Sequence, residues 1–204
     1  TARYSRCSYR TAKPISLLTD SNPPTQSPSQ MCPLTQYRVP ATTNIPKTTM
    51  SSAKSVRLTR EMKSFWNKPP WGITCRPEKE DVLDVLMINM CGPRGSPYEA
   101  GQFKLVINVP DRYPFEPPQV KFVTPVYHPN IDAVGRICMN MLKMPPKGSW
   151  LPTITIETLL ISIQTLLANP NPDDPLVTEI AMEYKYNIDL FNENAKKHTK
   201  AYAV

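Results

Sequence analysis

"DVLMINMCGPRGSPYEAGQFKLVINVPDRYPFEPPQVKFVT", Asp84 to Thr124, decides the fold class. Three short runs of β-branched and long apolar residues, at 84–90, 103–109 and 119–124, are separated by "CGPRGSPYEAG" and "PDRYPFEPP". Gly, Pro and Asp at that density break strands and reverse the chain. Connectors of this length suit neighbouring antiparallel strands, so the stretch predicts a meander.

Working outward, "SVRLTREMKSFWN" places Leu58, Met62, Phe65 and Trp66 at helical spacing, with Pro69-Pro70 as the stop. On the other side, periodicity vanishes from 125 to 153. Helical pattern returns in "TIETLLISIQTLLAN", where Ile156, Leu159, Leu160, Ile163, Leu166 and Leu167 form a wide apolar face. Asp174 followed by Pro175 reads as an N-cap with proline at the first helical position, opening "LVTEIAMEY". A last helix is expected over about 188–202. Helix, meander, long irregular segment and helices together make an α+β domain.

Residues 1–50 hold seven prolines and fifteen Ser/Thr. Such a segment buries too little side chain to offset its ordering entropy, and disorder is expected over 1–52, with the folded domain at 53–204. Met50 reads equally as a native start or as part of a regulatory tail. The net charge of +7 lies mostly in this segment. The folded part carries no basic stripe, so direct nucleic-acid binding is not expected. No apolar run reaches the roughly 20 residues that cross a bilayer, and no signal peptide is evident, so no membrane association and a cytosolic or nuclear location are expected. The five cysteines, Cys7, Cys32, Cys75, Cys91 and Cys138, include no Cys-x-x-Cys pair, and there are two histidines. All five read as reduced thiols, and no metal site is expected.

The irregular segment is the anomaly. It exceeds ordinary loop length, yet it carries Tyr127, Ile131, Ile137, Met139, Leu142 and Trp150 as apolar anchors. An ordered loop holding one cysteine, Cys138, suggests a functional site. His128 is the nearest imidazole in sequence, although "HPN" (128–130) also reads as a turn in which histidine bonds to backbone. A thiol that exchanges with an activated thioester needs no strong base, because transfer between thiols is nearly balanced. Onward transfer to an amine builds an oxyanion, for which the Asn130 amide is a neutral donor. Spacing alone leaves Cys138 open between catalyst and buried thiol.

Motifs in order along the chain extend the reading. "PYEAG" (97–101), "YPFEPP" (113–118), "HPN" (128–130), Gly135, Ile137-Cys138, Trp150-x-Pro152 and "NPDDPL" (171–176) resemble the ubiquitin-conjugating enzyme family over residues 53–202. "PPWGITC" (69–75), "RYPFEPPQVKFVTPVYHPNID" (112–132) and "LKMPPKGSWLP" (142–152) are similar to the branch that serves the Fanconi anaemia DNA-repair pathway. The resemblance implies the ubiquitin-conjugating fold, with an N-terminal helix, a four-stranded antiparallel meander, a long ordered active-site loop and C-terminal helices. It implies that Cys138 carries ubiquitin as a thioester, that Asn130 supports the loop and the oxyanion, and that Asp174 orients or deprotonates the incoming lysine. His128 and Pro129 would shape the turn. Phe115 and Pro152 would contact a RING-type ligase; Arg57 and Arg60 would meet the activating enzyme. Thr74 falls where some relatives bind a second ubiquitin.

The implied partners are ubiquitin, the activating enzyme, a RING-type ligase and a substrate lysine, with no cofactor, since ATP is used by the activating enzyme. The implied setting is monoubiquitination of DNA-repair clamp proteins, in the nucleus with the cytoplasm as a second compartment. SUMO or NEDD8 conjugation, or a non-catalytic binding module, are the rival readings. One departure stands out: the family commonly follows the cysteine with Leu-Asp, whereas this chain has Met139-Asn140. Met for Leu keeps volume. Asn for Asp removes a negative charge close to the thiol.

Overall fold

A computed structural model describes residues 53–80 and 82–204. The expectations for residues 1–52, and for Cys7 and Cys32, lie outside these residues. Helix α1, Ala53–Asn67, is followed by β1, Ile73–Lys79, β2, Val82–Cys91, β3, Gln102–Asn108, and β4, Gln119–Phe122. After the long segment come α2, Ile156–Ala168, α3, Thr178–Tyr186, and α4, Ile188–Tyr202. The sheet order β1-β2-β3-β4, antiparallel throughout, is the four-stranded meander expected of the ubiquitin-conjugating fold.

Strand alternation puts one face of the sheet into the core. Leu86, Ile88 and Met90 of β2 and Phe103, Leu105 and Ile107 of β3 are buried, and their neighbours stay accessible. The strip is covered by Leu58, Met62 and Phe65 of α1 and by Ile156, Leu159, Leu160, Ile163 and Leu167 of α2. Full burial of one such aliphatic side chain stabilises by about 1.5–3 kcal/mol. Thr155 caps α2, its side chain accepting from the Thr158 N–H.

Periodicity finds only three of the four strands. "ITCRPEK" carries Arg76, Pro77 and Glu78, so its alternation is hard to see. As the edge strand, β1 tolerates Pro77, and its register with β2 shifts between Pro77 and Lys79. β4 stops at Phe122 because Val123 and Thr124 leave the ladder, their N–H groups both turning to the Lys104 carbonyl.

Among the described residues, Cys75 and Cys138 are free thiols, as expected for these two. Among the described residues no helix is long and apolar enough to cross a membrane, and no group of three His, Cys, Asp or Glu is placed to hold a metal.

Candidate active site

Residues 125–153 contain one 3-10 turn, Asn140–Leu142, and are otherwise without helix or strand. Their order comes from anchors. Ile131, Ile137 and Trp150 enter the core. The Tyr98 hydroxyl donates to the Tyr127 carbonyl (2.6 Å), and Trp150 Nε1–H donates to the Pro114 carbonyl (2.9 Å). Gly135 (φ 81°) makes the turn that returns the chain to β4; an added Cβ would lie 1.9 Å from the Phe122 carbonyl oxygen. That close approach lets the Phe122 N–H bond the Gly135 carbonyl and sets the direction of the chain into Cys138.

His128 and Asn130 are wholly buried, with 0% exposure each. The Asn130 backbone N–H donates to His128 Nδ1 (3.0 Å), so the proton sits on Nε2, which donates to the Leu166 carbonyl (3.0 Å). Burial lowers this imidazole to about 4, and both nitrogens are occupied. His128 is therefore a neutral strut tying the loop to α2, with no nitrogen left to serve the thiol. The other histidine, His198, packs against the rings of Tyr127 and Tyr202.

The Asn130 side chain closes a second connection. Oδ1 accepts from the Asn171 N–H (2.8 Å), and Nδ2 donates to the carbonyls of Asn171 (2.7 Å) and Asp174 (3.0 Å). Next to it, the Pro129 carbonyl accepts from the N–H groups of Leu176 and Val177, while the Asn130 carbonyl accepts from the Cys138 N–H. Residues 128–130 thus clamp the cysteine segment on one side and residues 171–177 on the other. The same bonds use both N–H groups of the Asn130 amide, so in this geometry it has none to offer an oxyanion.

The clamp brings Cys138 and Asp174 together from 36 residues apart. Cys138 Sγ–H donates to Asp174 Oδ2 at 3.1 Å. The sequence reading of Asp174 as an N-cap is corrected: α3 starts at Thr178 with Val177 as its cap residue, without a side-chain capping bond. Released from capping, the carboxylate faces the thiol. Lys143 Nζ approaches the same sulfur at 3.4 Å and Asp174 Oδ2 at 4.0 Å. Desolvation and the Asp174 carboxylate push the half-buried thiol up, while Lys143 acts in the opposite direction; the net shift is upward. The resting group is a protonated thiol between an acid and a cation. Asn140 is exposed, and its carbonyl starts the turn that delivers Lys143, accepting from the N–H groups of Lys143 and Ser149.

Sequence reasoning missed Lys143. The stretch "LKMPPKGSW" is visible in the sequence, but its fold-back toward the sulfur is not.

A second group of residues lies where α1, the connector before β4 and the start of α2 meet. Phe115 is 61% exposed, and Pro152 is exposed as well. Beneath them the buried Glu61 carboxylate accepts from the Tyr113 hydroxyl (2.7 and 2.9 Å), the Ile156 N–H (2.8 Å) and Arg57 Nε. Arg57 also donates to the Ile154 carbonyl (3.3 Å). One carboxylate therefore holds α1, the 110–118 connector and the start of α2 at fixed spacing. Arg57, expected as a free basic position, is committed to this network, whereas Arg60 is exposed. Glu61 was also missed; the signal was an acid interrupting the apolar stripe of Leu58, Met62 and Phe65. Thr74 is half-buried on the edge strand, opposite Asn89.

The profile described as "Ubiquitin-conjugating enzyme" matches residues 57–199. The chain is 53% identical to ubiquitin-conjugating enzyme E2 T of Danio rerio over 148 residues, covering 72% of this chain and 76% of that protein. It is 51% identical to ubiquitin-conjugating enzyme E2 T of Homo sapiens over 150 residues, covering 74% and 76%. It is 45% identical to ubiquitin-conjugating enzyme E2 13 of Schizosaccharomyces pombe over 148 residues, covering 72% of this chain and 97% of that protein.

Proposed function

We propose, since this chain belongs to the ubiquitin-conjugating enzyme family, that Cys138 is the residue on which it carries ubiquitin. The enzyme takes activated ubiquitin from the activating enzyme, holds it as a cysteine thioester and, with a RING-type ligase, transfers it to a substrate lysine. The observation that carries the Cys138 assignment is a half-buried free thiol within 3.1 Å of a carboxylate and 3.4 Å of an ammonium, on a segment held by a buried clamp.

In charging, Sγ attacks the thioester carbonyl presented by the activating enzyme and its proton passes to Asp174 Oδ2; the activating enzyme's C–S bond breaks, and its leaving thiolate takes up a proton, which returns Asp174 to the carboxylate. Exchange of one thioester for another is close to balanced, so modest activation suffices. The thiol keeps its proton until an activated acyl group arrives. In discharge, the substrate amine attacks the Cys138 thioester, Asp174 orients the amine and accepts its proton, and Sγ leaves. Asn130, His128 and Pro129 hold the geometry. Phe115 and Pro152 contact the ligase, and Arg60, with Arg57 behind it, faces the activating enzyme.

Motifs 69–75, 112–132 and 142–152 support placing the reaction in Fanconi-type DNA repair, as monoubiquitination of a clamp protein in the nucleus. The test is incubation of the full chain with activating enzyme, ATP and ubiquitin, with SUMO and NEDD8 and their own activating enzymes in parallel. A reducible adduct is expected with ubiquitin alone and is lost in Cys138→Ala. An adduct that survives in that variant would reject the carrier assignment.

A further inference from the structure

A tetrahedral intermediate places negative charge on an oxygen two bonds from Sγ, and a hydrogen-bond donor is effective about 2.7–3.1 Å from that oxygen. The family resemblance gives this work to the Asn130 amide. Here that amide is buried, and both of its N–H groups are bonded to the carbonyls of Asn171 and Asp174. Using it as an oxyanion donor would break the clamp that holds Asp174 beside Cys138. The donor already at the sulfur is Lys143 Nζ, 3.4 Å away.

Its approach is built into the local backbone. The Lys143 N–H donates to the Asn140 carbonyl, and the Lys143 carbonyl accepts from the Trp150 N–H. Trp150 is buried and anchored to Pro114. Gly148 packs so closely that an added Cβ would lie 2.1 Å from the Lys143 carbonyl oxygen. The backbone of Lys143 is thus pinned to the core through Trp150, while the side chain reaches out to the thiol. The Asp174 carboxylate, 4.0 Å from Nζ, draws the ammonium toward the same side.

We infer that Lys143 is a catalytic residue of the transfer step, its ammonium stabilising the charge that develops first on the thioester oxygen and then on the departing sulfur. The inference rests on Cys138 being the ubiquitin carrier. The substrate nitrogen bonds to the carbonyl carbon, and the carbonyl π pair moves to oxygen. The nitrogen proton goes to Asp174. Collapse restores the C=O bond, breaks C–S and leaves Sγ as thiolate beside the ammonium, which then regains a proton from Asp174 or solvent. No oxidant or further reactant is needed.

The experiment is single-turnover discharge of the preformed ubiquitin thioester of the full chain onto excess free lysine. Wild type, Lys143→Met and Lys143→Arg are compared. With the ammonium partly open to solvent, its loss in Lys143→Met is expected to slow discharge about tenfold, below the loss seen for a fully enclosed oxyanion donor. Lys143→Arg, which keeps the charge, is expected to stay within about threefold of wild type. The free thiol of Lys143→Met should also need higher pH for alkylation by iodoacetamide, a shift that simple misfolding would not produce. Discharge of Lys143→Met at the wild-type rate overturns the inference, as does Lys143→Arg being equally slow. So does mass-spectrometric evidence that wild type loses its thioester to Lys143 itself while both variants discharge normally onto free lysine. Failure of wild type to form any thioester would instead remove the carrier assignment.

Discussion

Two stretches ten residues apart solve opposite problems. At 128–130 the polar side-chain atoms are buried and partnered, with the imidazole neutral and the amide using Oδ1 and both N–H groups. At 138–143 the Cys138 thiol is half-buried, held by two side chains that are themselves accessible. Buried, satisfied hydrogen bonds are costly to break and so fix position. Accessible charges are screened and cheap to rearrange, as groups that must change partners during a reaction need to be. Rigidity and reactivity are thus assigned to different residues of one loop.

The contrast can be broken most severely at Asn130. Asn130→Ala removes three hydrogen bonds and leaves the Asn171 N–H and two carbonyls without their partner. A loss of about 3 kcal/mol is expected in urea unfolding. A loss below about 1 kcal/mol would mean the clamp does not hold the two segments.

Acid is the next lever. The folded-state value of His128, about 4, lies below its ordinary 6.5. Between these values the unfolded chain binds more protons, so stability falls as pH drops through that window. The contribution of this one group is about 3 kcal/mol at most. Urea unfolding at pH 7, 5.5 and 4 should show this slope in wild type. It should be shallower in His128→Gln, and equal slopes would refute the assignment of a buried neutral imidazole.

The smallest stability effect is expected on the reactive side. Asp174→Asn removes the carboxylate that raises the Cys138 thiol, so alkylation by iodoacetamide near pH 7 should quicken by roughly threefold. Unfolding free energy should move by no more than about 0.5 kcal/mol. Slower alkylation would show that the carboxylate does not hold the thiol proton.

Much of the architecture was legible because its signals are local. The apolar stripes of α1 and α2 and the alternation of β2 and β3 repeat within ten to fifteen residues, and the bounds of α4 agree with the expected 188–202. β1 was invisible to periodicity because an edge strand carrying Pro77 does not need a regular pattern. At the site, Cys138, Asn130 and His128 were singled out from the length and apolar content of their loop together with the family motifs. The N-cap reading of Asp174 failed because a local rule, Asp before Pro, was overridden by a bond from Asn130 across 44 residues.

The sequence by itself determined the class of the fold, the order of its elements apart from β1 and the segment that carries Cys138, because hydrophobic period and turn residues act over short range. Only the tertiary structure decided what each polar side chain does there. It made His128 a strut, occupied the Asn130 amide, turned Asp174 toward the thiol and folded Lys143 back beside it. A side chain's role depends on which donors, acceptors and charges surround it, and those arrive from α2, from residues 171–177 and from the 142–152 stretch, whose meeting no local pattern encodes.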